Sequence, residues 1–137
     1  MNEFDLVRRY FDRPHSDSDT PLGIGDDAAI IAPSPKHHLV VSTDMLIEGR
    51  HFFSKTDPHA LGYKTLAVNL SDMAAMGAWP RWVLLSLALP EADPIWLDKF
   101  SEGFFTLADH YRVTLVGGDT TRGPLTLSVT MIGEVPL

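Results

Sequence analysis

The sequence predicts an α+β domain: a mixed or antiparallel four-stranded sheet with helices on one face, plus a short extra strand near the N-terminus. Two long helical segments each begin at an Asp-Pro pair, and apolar runs bounded by glycine and proline lie between them. The resulting order of elements is α-β-β-α-β-α-β-β. With 137 residues, the chain has the length of one domain, and we treat 1–137 as a single domain.

The N-terminal third is predicted to hold one helix and two strands. Apolar residues at helical spacing predict a short amphipathic helix over 4–11. Residues 28–32 form an apolar run closed by Pro33-Ser34-Pro35, which indicates a short buried strand. A valine-rich segment at 38–46 predicts the second strand.

Two longer helices are predicted from their first residues. Asp57-Pro58 and Asp93-Pro94 each combine an N-capping aspartate with proline at the first helical position. We expect the first of these helices to end near Met76, before Gly77, and the second to end near His110. The remaining strands are predicted at 82–89, 113–116 and 125–135.

Composition and charge exclude several classes of function. The formal net charge is −7, which argues against nucleic-acid or anionic-membrane partners. Without cysteine, the chain can form neither disulfides nor thiolate metal sites. The sequence has no apolar run long enough to span a membrane, and its acidic start does not resemble a secretory signal. We therefore expect a cytoplasmic protein.

A glycine- and aspartate-rich segment, Gly23-Ile24-Gly25-Asp26-Asp27, precedes the first predicted strand. With Ala28 it matches G-x-G-x-x-A, but that dinucleotide fingerprint follows a strand and opens a helix, whereas this segment follows a polar loop and enters a strand. Adjacent carboxylates are costly to desolvate without a cation. The segment therefore indicates either a metal site or a solvated turn, in which Gly and Asp are common.

Three other aspartates stand in comparable settings: Asp44 after Ser42-Thr43, Asp72 within a helix, and Asp119 after Gly117-Gly118. Such oxygen ligands suit Mg²⁺, which takes few protein groups and completes its shell with water and phosphate oxygens. We expect the four aspartate segments to converge on one site that holds Mg²⁺ and, through it, phosphate. A polar strand edge is the alternative for the segment at 42–44.

The helix predicted to end near Met76 is apolar over nearly its whole surface, which indicates burial on all sides. Thr65, Asn69 and Asp72 form one polar stripe along it, at i, i+4 and i+7. A buried carboxylate requires a partner. Asp72 is therefore predicted to meet Asn69, a lysine or a metal ion.

Two loops carry further groups that suit an anionic substrate. At 117–123, glycine backbone allows close approach of a ligand, and Arg122 could meet a phosphate oxygen. At 48–53, Arg50, His51 and two phenylalanines offer a cation, an imidazole and aromatic rings. Ordinary solvent exposure, with one aromatic ring buried, is the alternative.

Together these segments resemble the thiamine-monophosphate kinase family. The matching stretches are G-I-G-D-D at 23–27, S-T-D at 42–44, G-R-H-F at 49–52, K-T-L-A-V-N-L-S-D-M-A-A-M-G at 64–77 and G-G-D-T-T-R-G-P at 117–124. The resemblance runs from about Phe4 to the C-terminus. The superfamily of that kinase also contains aminoimidazole ribonucleotide synthetase, selenophosphate synthetase and the hydrogenase-maturation carbamoyl dehydratase, all of which use ATP.

The resemblance implies ATP-dependent phosphorylation of thiamine monophosphate to thiamine diphosphate, with Mg²⁺ as cofactor and ATP as co-substrate. It implies a fold like the N-terminal domain of aminoimidazole ribonucleotide synthetase, and a homodimer in which two sheets pair. No nucleophilic catalytic residue is expected, because the acceptor is already an anionic phosphate. The implied site comprises metal ligands Asp27, Ser42, Thr43, Asp44, Asp72 and Asp119, nucleotide contacts Gly118 and Asp119, and substrate contact His51, with Asp26 beside a ligand.

The family has a second, C-terminal domain, so this chain alone is expected to be inactive or nearly so. Two alternative functions stay open. One is a sister ATP-dependent synthetase of the same superfamily, and the other is a non-catalytic metal-binding or dimerisation module.

Overall fold

The computed structural model of the chain describes residues 2–13, 19–24 and 28–137. Its elements, in chain order, are α1 (Glu3–Tyr10), β1 (His37–Ile47), α2 (Pro58–Ala75), β2 (Trp79–Leu89), α3 (Pro94–Tyr111), β3 (Thr114–Arg122) and β4 (Thr126–Pro136). Both predicted Asp-Pro helix starts are confirmed. The Asp57 carboxylate accepts the Ala60 N–H, and the Asp93 carboxylate accepts the Ile95 N–H.

The four strands form one mixed sheet in the order β1-β4-β2-β3. Strand β4 pairs antiparallel with both β1 and β2, whereas β2 and β3 run parallel. Two parallel strands need a crossover between them, and α3 provides it. The α+β class and the mixed four-stranded sheet are therefore as predicted.

Helices α2 and α3 pack closely together and cover one face of the sheet. A Cβ at Gly62 would lie 2.1 Å from the Phe100 carbonyl oxygen, and one at Gly103 would lie 2.0 Å from the His59 carbonyl oxygen. The two helices therefore touch through their backbones. The core beneath them comprises Leu61, Leu66, Met73, Val83, Leu85, Leu97, Phe100, Phe104, Leu127, Val129 and Met131.

The predicted burial of α2 on all sides is wrong. Only one face of this helix is buried, while Tyr63 and Met76 are 46% and 64% exposed. The predicted stop at Gly77 is confirmed: its φ is +65°, a left-handed conformation that glycine adopts easily.

The segment at 28–32 is not a buried strand of the sheet. Its Ile30 is 56% exposed and forms only an isolated antiparallel bridge with Leu22. A further backbone bond joins the Ala32 N–H to the Asp19 carbonyl. Residues 19–24 and 28–32 therefore lie side by side, joined by these backbone hydrogen bonds.

Strand β3 is longer than predicted. It continues through Gly117-Gly118-Asp119 to Arg122 because each of these residues pairs with one in β2. The expected loop at 117–123 is therefore mostly an edge strand.

Within the part of the chain that the structure describes, no helix is long and apolar enough to cross a membrane.

Candidate metal and phosphate site

Two of the predicted aspartates meet where β1 packs against α2. Asp44 is half-buried on β1, and Asp72 is on the exposed side of the last turn of α2. Burial, followed by the hydrogen bond and charge of Asp72, raises the pKa of Asp44. Two carboxylates that share a site repel each other when both are ionised. The repulsion between these two carboxylates is therefore unfavourable, and a bound cation would offset it.

The same cluster contains two buried polar atoms without partners. Among the described residues, neither Asp44 Oδ2 nor Asn69 Nδ2 has a hydrogen-bond partner. Asn69 is fully buried, and its Oδ1 accepts the Ser42 hydroxyl over 3.3 Å. Buried polar atoms are almost always paired. The cluster of Ser42, Asp44, Asn69 and Asp72, called here the β1–α2 cluster, is therefore incomplete as it stands.

The donor set of the β1–α2 cluster fits a hard divalent cation. It offers carboxylate and hydroxyl oxygens, as Mg²⁺ prefers, and one of these oxygens is unpartnered. In the described ranges no group of three His, Cys, Asp or Glu side chains could hold a metal ion. Since Mg²⁺ usually keeps several waters and phosphate oxygens, two carboxylates are enough protein ligands.

The sheet register separates Asp119 from this cluster. Asp44 pairs with Val129, Val129 with Leu85, and Leu85 with Gly118. Asp119 is one residue beyond that row, and side chains alternate between faces along a strand. Asp119 therefore faces away from Asp44, and three strand spacings, about 14 Å, separate their strands.

Thr43 also faces away from the β1–α2 cluster. It follows Ser42 on β1, and its hydroxyl accepts the Thr130 hydroxyl over 3.2 Å. The expectation that all predicted ligands share one site therefore does not hold among the described residues. Asp26 and Asp27, with Gly25, lie outside the described residues.

Asp119 lines a groove of its own. The groove has a volume of about 940 Å³ and lies between β2, β3, α1 and the described residues Ile24, Ala28, Ala29 and Ile31. Its polar lining includes Ser86, Thr130 and Asp119, and the Thr120 N–H donates to the Asp119 carboxylate over 2.9 Å. This concave surface could accommodate a small molecule.

The two glycines before Asp119 have different environments. A Cβ at Gly118, whose φ is +146°, would lie 1.8 Å from the Leu85 carbonyl oxygen. The close approach of β2 is therefore a sufficient reason for glycine at this position. At Gly117 the nearest atom to such a Cβ, on Leu84, is 3.9 Å away, so its bare backbone faces open space in the groove.

His51 lies on the loop after β1. Its Nδ1 accepts the Ile47 N–H over 3.0 Å, and its carbonyl accepts the Lys64 ammonium over 2.9 Å. This acceptor role places the proton of a neutral ring on Nε2. Of the two loop aromatics, Phe52 is buried and Phe53 is 87% exposed, as the alternative reading of this loop expected.

Sequence reasoning did not identify a second buried acidic site. Glu134 is 3% exposed, accepts the Ser34 N–H over 2.7 Å and pairs with Arg81 over 3.2 Å. Arg81 also pairs with Asp19, and the Trp82 indole donates to Thr20 over 3.1 Å. The one sign of this site in the sequence was a single acidic residue, Glu134, in a predicted strand that is otherwise largely apolar.

This second site ties both sides of the 19–34 segment to the sheet. Burial alone would raise the pKa of Glu134, but the Ser34 hydrogen bonds and the Arg81 charge outweigh it and hold that pKa below its ordinary value of 4.5. The described residues on either side of 25–27 are therefore anchored, Asp19 by an ion pair with Arg81 and Ser34 by a hydrogen bond to Glu134.

A family model described as AIR synthase related protein, N-terminal domain, matches residues 25–135. Among curated proteins, thiamine-monophosphate kinase of Escherichia coli K12 is 52% identical over 136 residues, with 98% of this chain and 42% of that protein covered. The Bacillus subtilis protein of the same name is 40% identical, with 98% and 43% covered. The chain therefore spans less than half the length of these relatives.

Solved structures show the same similarity. The thiamine-monophosphate kinase of Stenotrophomonas maltophilia K279a superposes with a TM-score of 0.82 at 51% identity, covering 97% of this chain and 41% of that one. AaThiL complexed with AMPPCP and TMP gives 0.71 at 36% identity, covering 82% and 37%. The hydrogenase maturation protein HypE in complex with ATP gives 0.75 at 26% identity, covering 98% and 40%. The chain belongs to the AIR synthase related protein family and comprises its N-terminal domain.

Proposed function

We propose that this chain is the Mg²⁺- and ATP-binding N-terminal domain of a thiamine-monophosphate kinase. The enzyme transfers the γ-phosphoryl group of ATP to thiamine monophosphate and makes thiamine diphosphate. The observation that carries this proposal is the unpartnered, buried Asp44 oxygen beside the Asp72 carboxylate. The names of the relatives at 40% and 52% identity supply the reaction.

Both reactants are anionic, and bound Mg²⁺ would supply the positive charge that offsets their repulsion. Asp44, Asp72 and the Ser42 hydroxyl would hold an ion at the β1–α2 cluster. Asp27 and Thr43 are proposed as ligands of other ions, because Thr43 faces away from the β1–α2 cluster. No side chain has to be activated as a nucleophile, because the acceptor is a phosphate.

The groove beside β3 is proposed as the nucleotide side of the site. Gly117 leaves backbone exposed there, and Asp119 is proposed to bind a metal that accompanies the phosphates. AMPPCP in the AaThiL complex and ATP in the HypE complex support nucleotide binding in proteins of this fold. His51 is proposed to contact thiamine monophosphate through its Nε2–H.

The exposed face of β1 supports a homodimer. Leu39, Val41, Met45 and Ile47 lie on the same face of β1, with Thr43 between Val41 and Met45, and are 44%, 61%, 55% and 39% exposed. An apolar row of this kind favours pairing with a second sheet. Val41→Asp should shift sedimentation from dimer to monomer, whereas Tyr111→Glu on α3 should not. A monomeric wild type would contradict this part of the proposal.

Thiamine monophosphate, ATP and MgCl₂ supplied to the whole protein test the proposed reaction directly. Thiamine diphosphate and ADP should form in equal amounts, and chelation of Mg²⁺ should stop the reaction. The 137-residue chain alone should give little product, since its relatives are more than twice as long. ATP consumption that does not depend on thiamine monophosphate would favour the sister synthetase instead.

The absence of cysteine fits a cytoplasmic location.

A further inference from the structure

The side chain of Asn69 has a donor that the fold leaves unused. Asn69 is fully buried on α2, and no described residue accepts from its Nδ2. Its other polar atom, Oδ1, is already occupied by the Ser42 hydroxyl at 3.3 Å. With Oδ1 in this contact, Nδ2 is the end of the carboxamide that is left without a partner among the described residues.

Leaving such a donor unpaired is costly. A buried donor without a partner destabilises a fold, whereas an apolar side chain of the same shape has no such cost. Leucine has nearly the shape of asparagine. A purely structural position on this buried helix face would therefore be filled better by leucine.

The surroundings of Asn69 indicate what its donor meets. Ser42, which anchors the carboxamide, is two residues before Asp44 on the same face of β1. Asp44 Oδ2 is the other unpartnered buried atom of the β1–α2 cluster. Both atoms of this cluster would be satisfied if a cation bound the Asp44 oxygen and an oxygen in the shell of that cation accepted from Asn69 Nδ2. A water on a hydrated divalent cation is such an oxygen.

We propose that Asn69 is a positioning residue for the metal: its Nδ2–H donates to a water in the shell of a divalent cation that Asp44 and Asp72 hold. This inference rests on the proposed metal site. Outer-shell hydrogen bonds of this kind orient the ligands of a metal and usually change metal affinity about 10–100-fold.

Asn69→Leu in the whole protein separates this role from a structural one. Melting temperatures with and without MgCl₂, and Mg²⁺ titration calorimetry, are the measurements. Without metal, the variant should melt close to the wild-type temperature, because removal of the unpaired donor offsets loss of the acceptor for the Ser42 hydroxyl. The gain in melting temperature from Mg²⁺ should shrink, and Mg²⁺ binding should weaken about tenfold.

Thr65→Val is the matched control. Thr65 lies one turn earlier on the same buried face, but its hydroxyl is already satisfied by the Leu61 carbonyl at 2.6 Å. This variant should melt lower without metal and keep the full gain from Mg²⁺. If Asn69→Leu fails to fold, Asn69→Ser removes the same donor and should also reduce the gain.

Two results would overturn the inference, and they differ. If Asn69→Leu melts lower without metal and keeps the full Mg²⁺ gain, Asn69 is structural, and the metal site itself stands. If the wild type shows no gain from Mg²⁺ at all, the proposed metal site fails together with this inference.

Discussion

Two carboxylates, the half-buried Asp44 and the buried Glu134, lie on opposite faces of the same sheet and have opposite electrostatic environments. Glu134 is paired by Arg81 and the Ser34 N–H, and its pKa is lowered. Asp44 faces another carboxylate, retains an unpartnered oxygen, and its pKa is raised by burial and Asp72. The difference separates a group that stabilises the fold from one that we propose binds a cation.

The largest effect is expected from Asp44 itself. Asp44→Ala in the whole protein should lower turnover of thiamine monophosphate at least about 100-fold, because a charge-stabilising group is lost. Asp44→Asn should lose activity similarly, yet melt higher than wild type without metal, since it no longer repels Asp72. A variant that keeps near-wild-type turnover would count decisively against the proposed role.

The Glu134 site should show the reverse pattern. Arg81→Met leaves Glu134 buried without its cation and should cost about 3 kcal/mol of unfolding free energy in urea titrations. Turnover of the folded fraction should fall far less than in Asp44→Ala.

Arg13→Met is the control for Arg81→Met. Arg13 makes an equally direct ion pair with Asp109, but the two side chains are 45% and 59% exposed. Exposed pairs contribute at most about 1 kcal/mol. If Arg13→Met and Arg81→Met lost the same unfolding free energy, burial would not distinguish the two ion pairs.

A smaller effect concerns pH. Because its pKa is lowered by folding, Glu134 contributes stability that is present above pH 4.5 and lost as the pH falls below it. Glu134→Gln should therefore make the unfolding free energy depend less on pH in the acid range. The difference in unfolding free energy between wild type and this variant should shrink as the pH falls. Urea titrations at several pH values would measure this, and a difference that is constant with pH would contradict it.

Local signals predicted most of the fold. The caps at Asp57 and Asp93, the stop at Gly77 and the apolar strands appear where expected, because each depends on neighbouring residues. The exceptions depend on distant partners. Gly117 to Arg122 are extended only because β2 pairs with them. Burial on one side of α2 reflects where the sheet lies, which periodicity cannot reveal.

The sequence indicated the residue types of the candidate site more than their arrangement. Oxygen-rich segments indicated a hard cation, and Asp44 and Asp72 do meet. The separation of Asp119 follows from strand order and register, which no local pattern determines. Glu134 and Arg81 are adjacent only across paired strands, so their partnership was not visible in the sequence.

Crystals of the whole protein soaked in MnCl₂ offer the most direct test of the central claim, that the Asp44–Asp72 pair is built for a divalent cation. Anomalous scattering would locate the metal. We expect a peak between the two carboxylates, at about 2.1–2.2 Å from Asp44 Oδ2, near the distance at which Mg²⁺ binds. Manganese bound only elsewhere, with that oxygen still unliganded, would contradict it.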